Sequence, residues 1–344
     1  GENMTDAMKL MEQMLNNAKV DREAYNKYVD NLLKGRRDAK LNQKTNFGAL
    51  QSYGFYGKYN SKLNVPDSTE LVTTNPQDVV NMIAALKNYK HDVVYYGPLA
   101  MKQLVATVDK NHITAKTLQN APENKPYKMV ETPKNEILLA PYDAKNIYMM
   151  QLHNENQKWT PEDEAKISLF NEYFGGGMNG IVFQELRESR GLAYSAFADY
   201  STTKRKEQQT NHAYTYIISQ NDKMMDCIRV FNNILDTMPQ SQPAFELAQQ
   251  AAMKRIASQR ITKANIIFSY LGNKRIGINY DIRRGVYEAL PKLTLEDIVK
   301  FEHDNMANKP WLYLILGDEK NLDMKSLEKI APIKRVSTEE IFGY

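Results

Sequence analysis

Zinc chemistry needs several imidazole, carboxylate or thiolate donors converging on one ion, and its commonest local device is a histidine pair four residues apart on a helix. The five histidines, His91, His112, His153, His212 and His303, contain no such pair. His153-Asn154-Glu155 offers two donors on one side of a strand, and Glu302-His303-Asp304 is a local donor cluster. Clusters this short arise easily as surface or capping residues, so the chain is expected to hold no metal and no other cofactor. The lone Cys227 forms neither an intrachain disulfide nor a thiolate zinc site, and it leaves the compartment open. Gly175-Gly176-Gly177 invites comparison with a phosphate cradle. It follows a helical pattern instead of a strand, and no Gly-Lys-Ser/Thr continues it, so a tight helix-to-helix turn is the better reading.

These residues are carried by an alternation of strand and helix patterns. Glu136–Ala140 and Asn146–Leu152 read as strands. Thr160-Pro161-Glu162-Asp163 is a helix start with an N-cap hydroxyl, Pro at the first position and acids against the dipole. That helix carries Ile167, Phe170 and Phe174 and must stop at the glycines. A second helix runs from about Asn179 to Arg190 and is closed by Gly191. Leu192–Ala198 and Asn211–Ser219 then alternate as strands.

The chain also repeats itself at a spacing of about 220 residues. Thr5–Leu15 matches Met225–Leu235 as an amphipathic helix, and Asp21 matches Ser241 as the N-cap of a second. Asn75–Val80 matches Thr294–Val299 as a capped helix start, and Asp92–Gly97 matches Leu312–Gly317 as a buried strand and turn. The second copy has strands and helices ahead of its matching part, and the first has almost nothing ahead of Thr5. The reading is therefore α+β: a tandem repeat of helices packed on a mainly antiparallel sheet, with the first repeat lacking its N-terminal part. Residues 1–120 form the truncated repeat, 121–134 a linker with Pro122, Pro126 and Pro133 nearby, and 135–344 the complete domain. Gly1-Glu2 reads as a processing or cloning scar, with the natural start upstream.

With 45 Lys and Arg against 41 Asp and Glu, a net charge of +4 over 344 residues gives no basis for an extended nucleic-acid surface. Lys204-Arg205-Lys206, the densest basic run, reads as a solvated loop. No window reaches the apolar length of a membrane span, and the first residues do not resemble a signal peptide.

The stretch from Asn171 to Ser195 is the most specific in the chain. It has a helix ending Gly-Gly-Gly-Met, a helix ending Phe-Gln-Glu-Leu-Arg-Glu, and Arg-Gly-Leu-Ala-Tyr-Ser opening a strand. It resembles the C-terminal half of the insulinase/pitrilysin-type zinc metallopeptidases, the inverted zincins, whose tandem domains also account for the repeat. The resemblance implies a zinc-free half that closes over a peptide substrate and supplies an Arg and a Tyr, matched here by Arg187 and Tyr194, to the scissile carbonyl. It places the zinc, held by an inverted His-x-x-Glu-His motif and a distal Glu, in a missing N-terminal half or partner subunit. At the position where an active domain carries that distal Glu, the first repeat reads Leu33-Lys34-Gly35-Arg36-Arg37. By this reading the chain alone hydrolyses nothing, its partners are the zinc-bearing half and a peptide, and a periplasmic or envelope location suits a bacterial source. The competing reading is a non-catalytic scaffold or assembly subunit of the same fold, in which Arg187 serves the helix dipole and Tyr194 packs the sheet.

Overall fold

The computed structural model describes residues 3–205 and 208–344, which divide into two compact units. Gly1-Glu2 and Lys206 of the basic run lie outside the described residues. Unit 1 comprises the residues up to Asp38 with Pro66–Pro126 and Ile261–Ser269; unit 2 comprises Ala39–Val65, Tyr127–Arg260 and Tyr270–Tyr344.

The first repeat is helical throughout: α1 (Met4–Asn17), α2 (Arg22–Lys40), α3 (Gln43–Tyr56), α4 (Ser68–Thr73), α5 (Pro76–Ala85) and α6 (Met101–Asn111). Its starts are written in the sequence, with Asp67 and Glu70 forming a reciprocal capping box and Asn75 capping α5 ahead of Pro76. Within unit 1 the Tyr25 hydroxyl donates to the Leu71 carbonyl (2.7 Å). His112 Nδ1 meets the buried Glu12 carboxylate (2.6 Å) and its Nε2 meets that of His91 (2.8 Å). Residues 92–97, expected as a buried strand, form none, and Val93, Val94 and Tyr96 are exposed. A strand needs at least one paired neighbour to satisfy its backbone, and no described residue pairs with this segment as a strand.

The second repeat follows as β1 (Glu136–Ala140), β2 (Asn146–Lys158), α7 (Glu164–Phe170), α8 (Ile181–Phe183), β3 (Ala193–Lys204), β4 (Gln209–Gln220), α9 (Met224–Asp236), α10 (Gln242–Ser258), α11 (Asn265–Arg275), α12 (Ile282–Ala289), α13 (Leu295–Asn305), β5 (Leu312–Leu316), α14 (Met324–Ile330), β6 (Ile333–Arg335) and α15 (Thr338–Phe342). α1, α2, α5 and α6 recur as α9, α10, α13 and α14 at a spacing of about 220 residues. The strands form one mixed sheet in the order β3-β4-β2-β5-β1-β6. Three pairings are antiparallel, and β1 runs parallel to both of its neighbours, β5 and β6.

Period-2 alternation assigns the sheet's two faces. Ile137, Leu139, Ile147, Met149, Ala213, Ile217, Tyr313 and Ile315 point into a core with Phe170, Phe174, Phe231 and Phe245 of the helices. Leu138, Ala140, Met150, Leu152, Leu314 and Leu316 point the other way, where Phe47, Leu50 and Tyr53 of α3 cover them. α3 thus packs in unit 2, on the opposite face from α9 and α10, although its sequence lies inside the first repeat.

Glu302 of α13 is 2% exposed, and one of its carboxyl oxygens has no partner. Burial, aided by the charge of Asp236, pushes its carboxyl up to about 8. The folded state therefore holds this proton more tightly than the unfolded chain, whose Glu titrates near ~4.3. Its stabilising contribution is complete below that value and is lost as pH rises toward 8. Melting of the wild type should fall between pH 5 and pH 8.5, and Glu302→Gln should remove much of that fall. Identical slopes for both proteins would contradict the assignment.

Candidate active site

The site is built from two widened helix ends laid against the edge strand β3. Thr160 caps the first, with its backbone N–H on Asp163 Oδ2 (3.0 Å), and α7 leads into a π turn at Asn171–Gly175. Asn171 grips β3 at one residue, donating to the Tyr200 carbonyl (3.0 Å) and accepting from the Tyr200 N–H (2.8 Å). That grip brings the helix end so near that a Cβ at Gly175 would lie 1.7 Å from the Ala198 carbonyl oxygen. Gly177 turns the chain at φ 65°. The glycine run is therefore a turn forced by close packing and backbone conformation. Beyond it, α8 passes into a second π turn, Gln184–Glu188, so the helix expected from Asn179 is shorter at its start and wider at its end. π turns of this kind recur at functional sites.

Arg187 lies in that second π turn. Gly191 closes it at φ 58°, with its N–H on the Arg187 carbonyl (2.9 Å) and the Leu192 N–H on the Leu186 carbonyl (2.9 Å). The chain then enters β3 through a bulge: Ala193 pairs with Ser219 and Ser195 with Ile218, which leaves Tyr194 as the extra residue. Parity alone would send Tyr194 into the helix-side core with Ala196, Ala198 and Tyr200. The bulge releases it, and it stands 76% exposed. The Arg187 guanidinium carbon sits 5.8 Å from the Tyr194 ring and 4.9 Å from the Phe183 ring, a cation–π arrangement that holds Arg187 beside the phenol. Arg187 Nε is 3.9 Å from Glu188, too far for a hydrogen bond, while Arg190 is engaged by Glu185. Two neighbouring side chains thus carry a phenol O–H and a guanidinium at the exposed start of β3.

Next to this pair, β3 and β4 carry an aromatic surface. Phe197 stacks on Tyr216 (5.0 Å), which also packs against Phe47 and Tyr148. Burial raises the Asp199 carboxyl and pushes the Tyr214 phenol up to about 12, so that phenol stays protonated beside Asp199.

The other donors singled out in the sequence lie apart from this pair. His153 is buried with Nδ1 on the Pro310 carbonyl (2.8 Å), and neighbouring Glu155 pairs with Lys309 (3.0 Å). His303 is exposed beside Asp304 (3.8 Å). Burial pushes the Cys227 thiol up to about 11, which suppresses the reactive thiolate. Among the described residues no three His, Cys, Asp or Glu side chains are grouped to hold a metal.

Residues 87–253 match a family model described as the peptidase M16 inactive domain. Among solved structures, the chain is similar to a peptidase M16 inactive domain from Pseudomonas fluorescens, at 16% identity and a TM-score of 0.63, covering 91% of this chain and 74% of that one. It is also similar to the periplasmic protease PqqL from Escherichia coli (12% identity, TM-score 0.64, 92% of this chain and 35% of that one). A third match is the ferredoxin protease FusC, solved as a mutant in complex with Arabidopsis ferredoxin (12% identity, TM-score 0.67, 92% of this chain and 34% of that one). The chain therefore spans about a third of the length of these two proteases. No curated protein matches it in sequence. No helix among the described residues is long and apolar enough to cross a membrane.

Proposed function

Because this chain carries a peptidase M16 inactive domain, we propose that it is the zinc-free half of a metallopeptidase, closing over a peptide and presenting Arg187 and Tyr194 to the scissile carbonyl. The observation that carries the reading is the placement of these two side chains side by side and outward, one by a π turn and the other by a bulge. A residue serving only to pack the sheet would have followed the strand's alternation inward.

In peptide hydrolysis the carbonyl oxygen gains charge as the carbon becomes tetrahedral. The Tyr194 O–H donates to that oxygen, and its hydrogen bond strengthens as the charge develops. The Arg187 N–H groups share the same oxygen or hold the neighbouring carbonyl, and the Phe183 ring keeps the guanidinium from swinging away. Bound zinc supplies water activation and carbonyl polarisation, and we assign it to another half outside these 344 residues. A peptide substrate reaches the pair at the Arg187/Tyr194 end of β3, because Asn171 and Gly175 already cover the strand's free edge at Tyr200 and Ala198. Resemblance to a periplasmic protease supports an envelope location.

The test is reconstitution. The purified chain should cleave no quenched-fluorescent peptide, and adding the zinc-bearing half should restore cleavage. Activity of the chain alone with stoichiometric zinc would overturn the assignment. Activity of the zinc half undiminished by leaving this chain out would favour the scaffold reading.

A further inference from the structure

Within unit 1 two histidine rings meet head to head. His91 Nε2 lies 2.8 Å from His112 Nε2, with the ring centroids 4.9 Å apart and the planes at 83°. The partners of the other two ring nitrogens fix where the hydrogens sit. His112 Nδ1 is 2.6 Å from the Glu12 carboxylate, and His91 Nδ1 is 2.7 Å from the Tyr89 carbonyl. A carboxylate and a peptide carbonyl only accept, so each Nδ1 carries a hydrogen. That tautomer leaves both Nε2 lone pairs directed at one point, an arrangement that needs a cation between them. Three segments of the chain hold the pair in place. His112 ends α6, with its backbone N–H on the Val108 carbonyl (2.8 Å). Residues 88–90, which lead into His91, are tied to Gln119 through the Lys90 N–H on the Gln119 carbonyl (2.8 Å) and the Gln119 N–H on the Asn88 carbonyl (2.8 Å). Glu12 of α1 is buried, and its second oxygen accepts from Asn16 (3.3 Å), itself held by the Lys87 ammonium (2.5 Å).

From this geometry we propose that His91 and His112 form a two-histidine site for a divalent transition-metal ion of the zinc and copper class, which ties α1, residues 89–91 and the end of α6 together. Imidazole nitrogens suit such ions, whereas magnesium and calcium seek oxygen. Histidines that ligate metal donate their outer N–H to a carboxylate or a backbone carbonyl, which orients the ring and raises its basicity. Here one ring has the carboxylate and the other the carbonyl. Tetrahedral zinc with bonds of about 2.0–2.1 Å holds two ligand nitrogens roughly 3.3 Å apart. The rings must therefore open by about half an ångström, which the exposed His91 accommodates by a small rotation. Solvent supplies the remaining ligands. Twenty-one positions separate the two histidines, so ligand spacing along the sequence leads to the opposite expectation. The site is independent of the catalytic reading and stands even where Arg187 and Tyr194 do nothing.

The test is calorimetric titration of the chelator-treated 344-residue chain with ZnCl2 alone at neutral pH. Wild type should take up one equivalent of zinc, and MgCl2 should not compete for it. His91→Gln removes an exposed ligand without disturbing a core and should weaken binding at least about 100-fold. Glu12→Gln keeps an acceptor for His112 but removes its charge, and should weaken binding roughly 10-fold. His303→Gln changes an exposed histidine elsewhere and should bind as wild type does. Zinc should raise the melting temperature of wild type and leave that of His91→Gln unchanged, because an ion bound to the folded state alone stabilises it. X-ray absorption of the bound zinc should show two imidazole nitrogens at about 2.0–2.1 Å. Zinc held here without peptide cleavage leaves the catalytic reading intact. Equally weak uptake by wild type and His91→Gln would mean that only a proton joins the rings, and it overturns the proposal. So does zinc binding that survives His91→Gln and is lost in His303→Gln.

Discussion

Arg187→Ala in the reconstituted enzyme is expected to lower kcat/KM by roughly 10³-fold or more, and Tyr194→Phe to lower kcat by roughly 10²- to 10³-fold, the loss typical of one oxyanion donor. The two differ in kind. Phenylalanine keeps the Tyr194 ring, and with it the aromatic neighbour of Arg187 at 5.8 Å, and removes only the donor. KM should therefore move little, because the lost bond matters chiefly once charge has developed. Arg187→Ala removes several donors and also the ligand of the Phe183 and Tyr194 rings, so KM is expected to rise along with the fall in kcat. Neither residue is buried in a core, Arg187 being about half exposed and Tyr194 largely so. Both variants should melt within a degree or two of wild type, which separates loss of chemistry from loss of fold.

Gly175→Ala is expected to be the most damaging glycine-to-alanine change among the described residues. The new Cβ would meet a backbone carbonyl at 1.7 Å, and no side-chain rotation relieves a clash with backbone. The helix end must lift off β3, which breaks both hydrogen bonds between Asn171 and Tyr200 and opens the packing of Phe170 and Phe174. A destabilisation of roughly 3 kcal/mol or more follows, at the upper end of overpacking costs. Gly177→Ala is the control. It faces open space but has φ 65°, so it should cost only about 1 kcal/mol. Denaturant titration of the two variants should rank them in this order; equal midpoints would mean that the helix does not rest on β3 as described.

Much of this architecture is legible in the sequence because it depends on local signals. Thr160-Pro161, Asn75-Pro76 and Ser241 start helices where their capping chemistry says they should, and the short apolar runs of β1 and β2 mark strands buried on both faces. What the sequence hides is set by distant parts of the chain. The covering of Leu314 and Met150 by Phe47 and Leu50 has no local trace, since α3 reads like any other helix of its repeat. Residues 92–97 carry a strand's composition and remain unpaired, because strand formation requires neighbours that composition cannot supply. At the site, the motif locates Arg187 and Tyr194 but not the bulge that aims the tyrosine outward. The only trace of it is that Ala193 and Ala196, both buried on the helix side, stand three residues apart where strict alternation would demand an even spacing. The link between His91 and His112 was likewise invisible to ligand spacing, because it joins an extended segment to a helix end.

The most direct test of the central claim is steady-state cleavage of a quenched-fluorescent peptide by the reconstituted enzyme carrying wild-type chain or Tyr194→Phe, with zinc assayed in each. The account predicts a kcat lower by roughly 10²- to 10³-fold in the variant, with KM and zinc content close to wild type. A kcat equal to wild type would make Tyr194 a surface packing residue and leave the chain a scaffold.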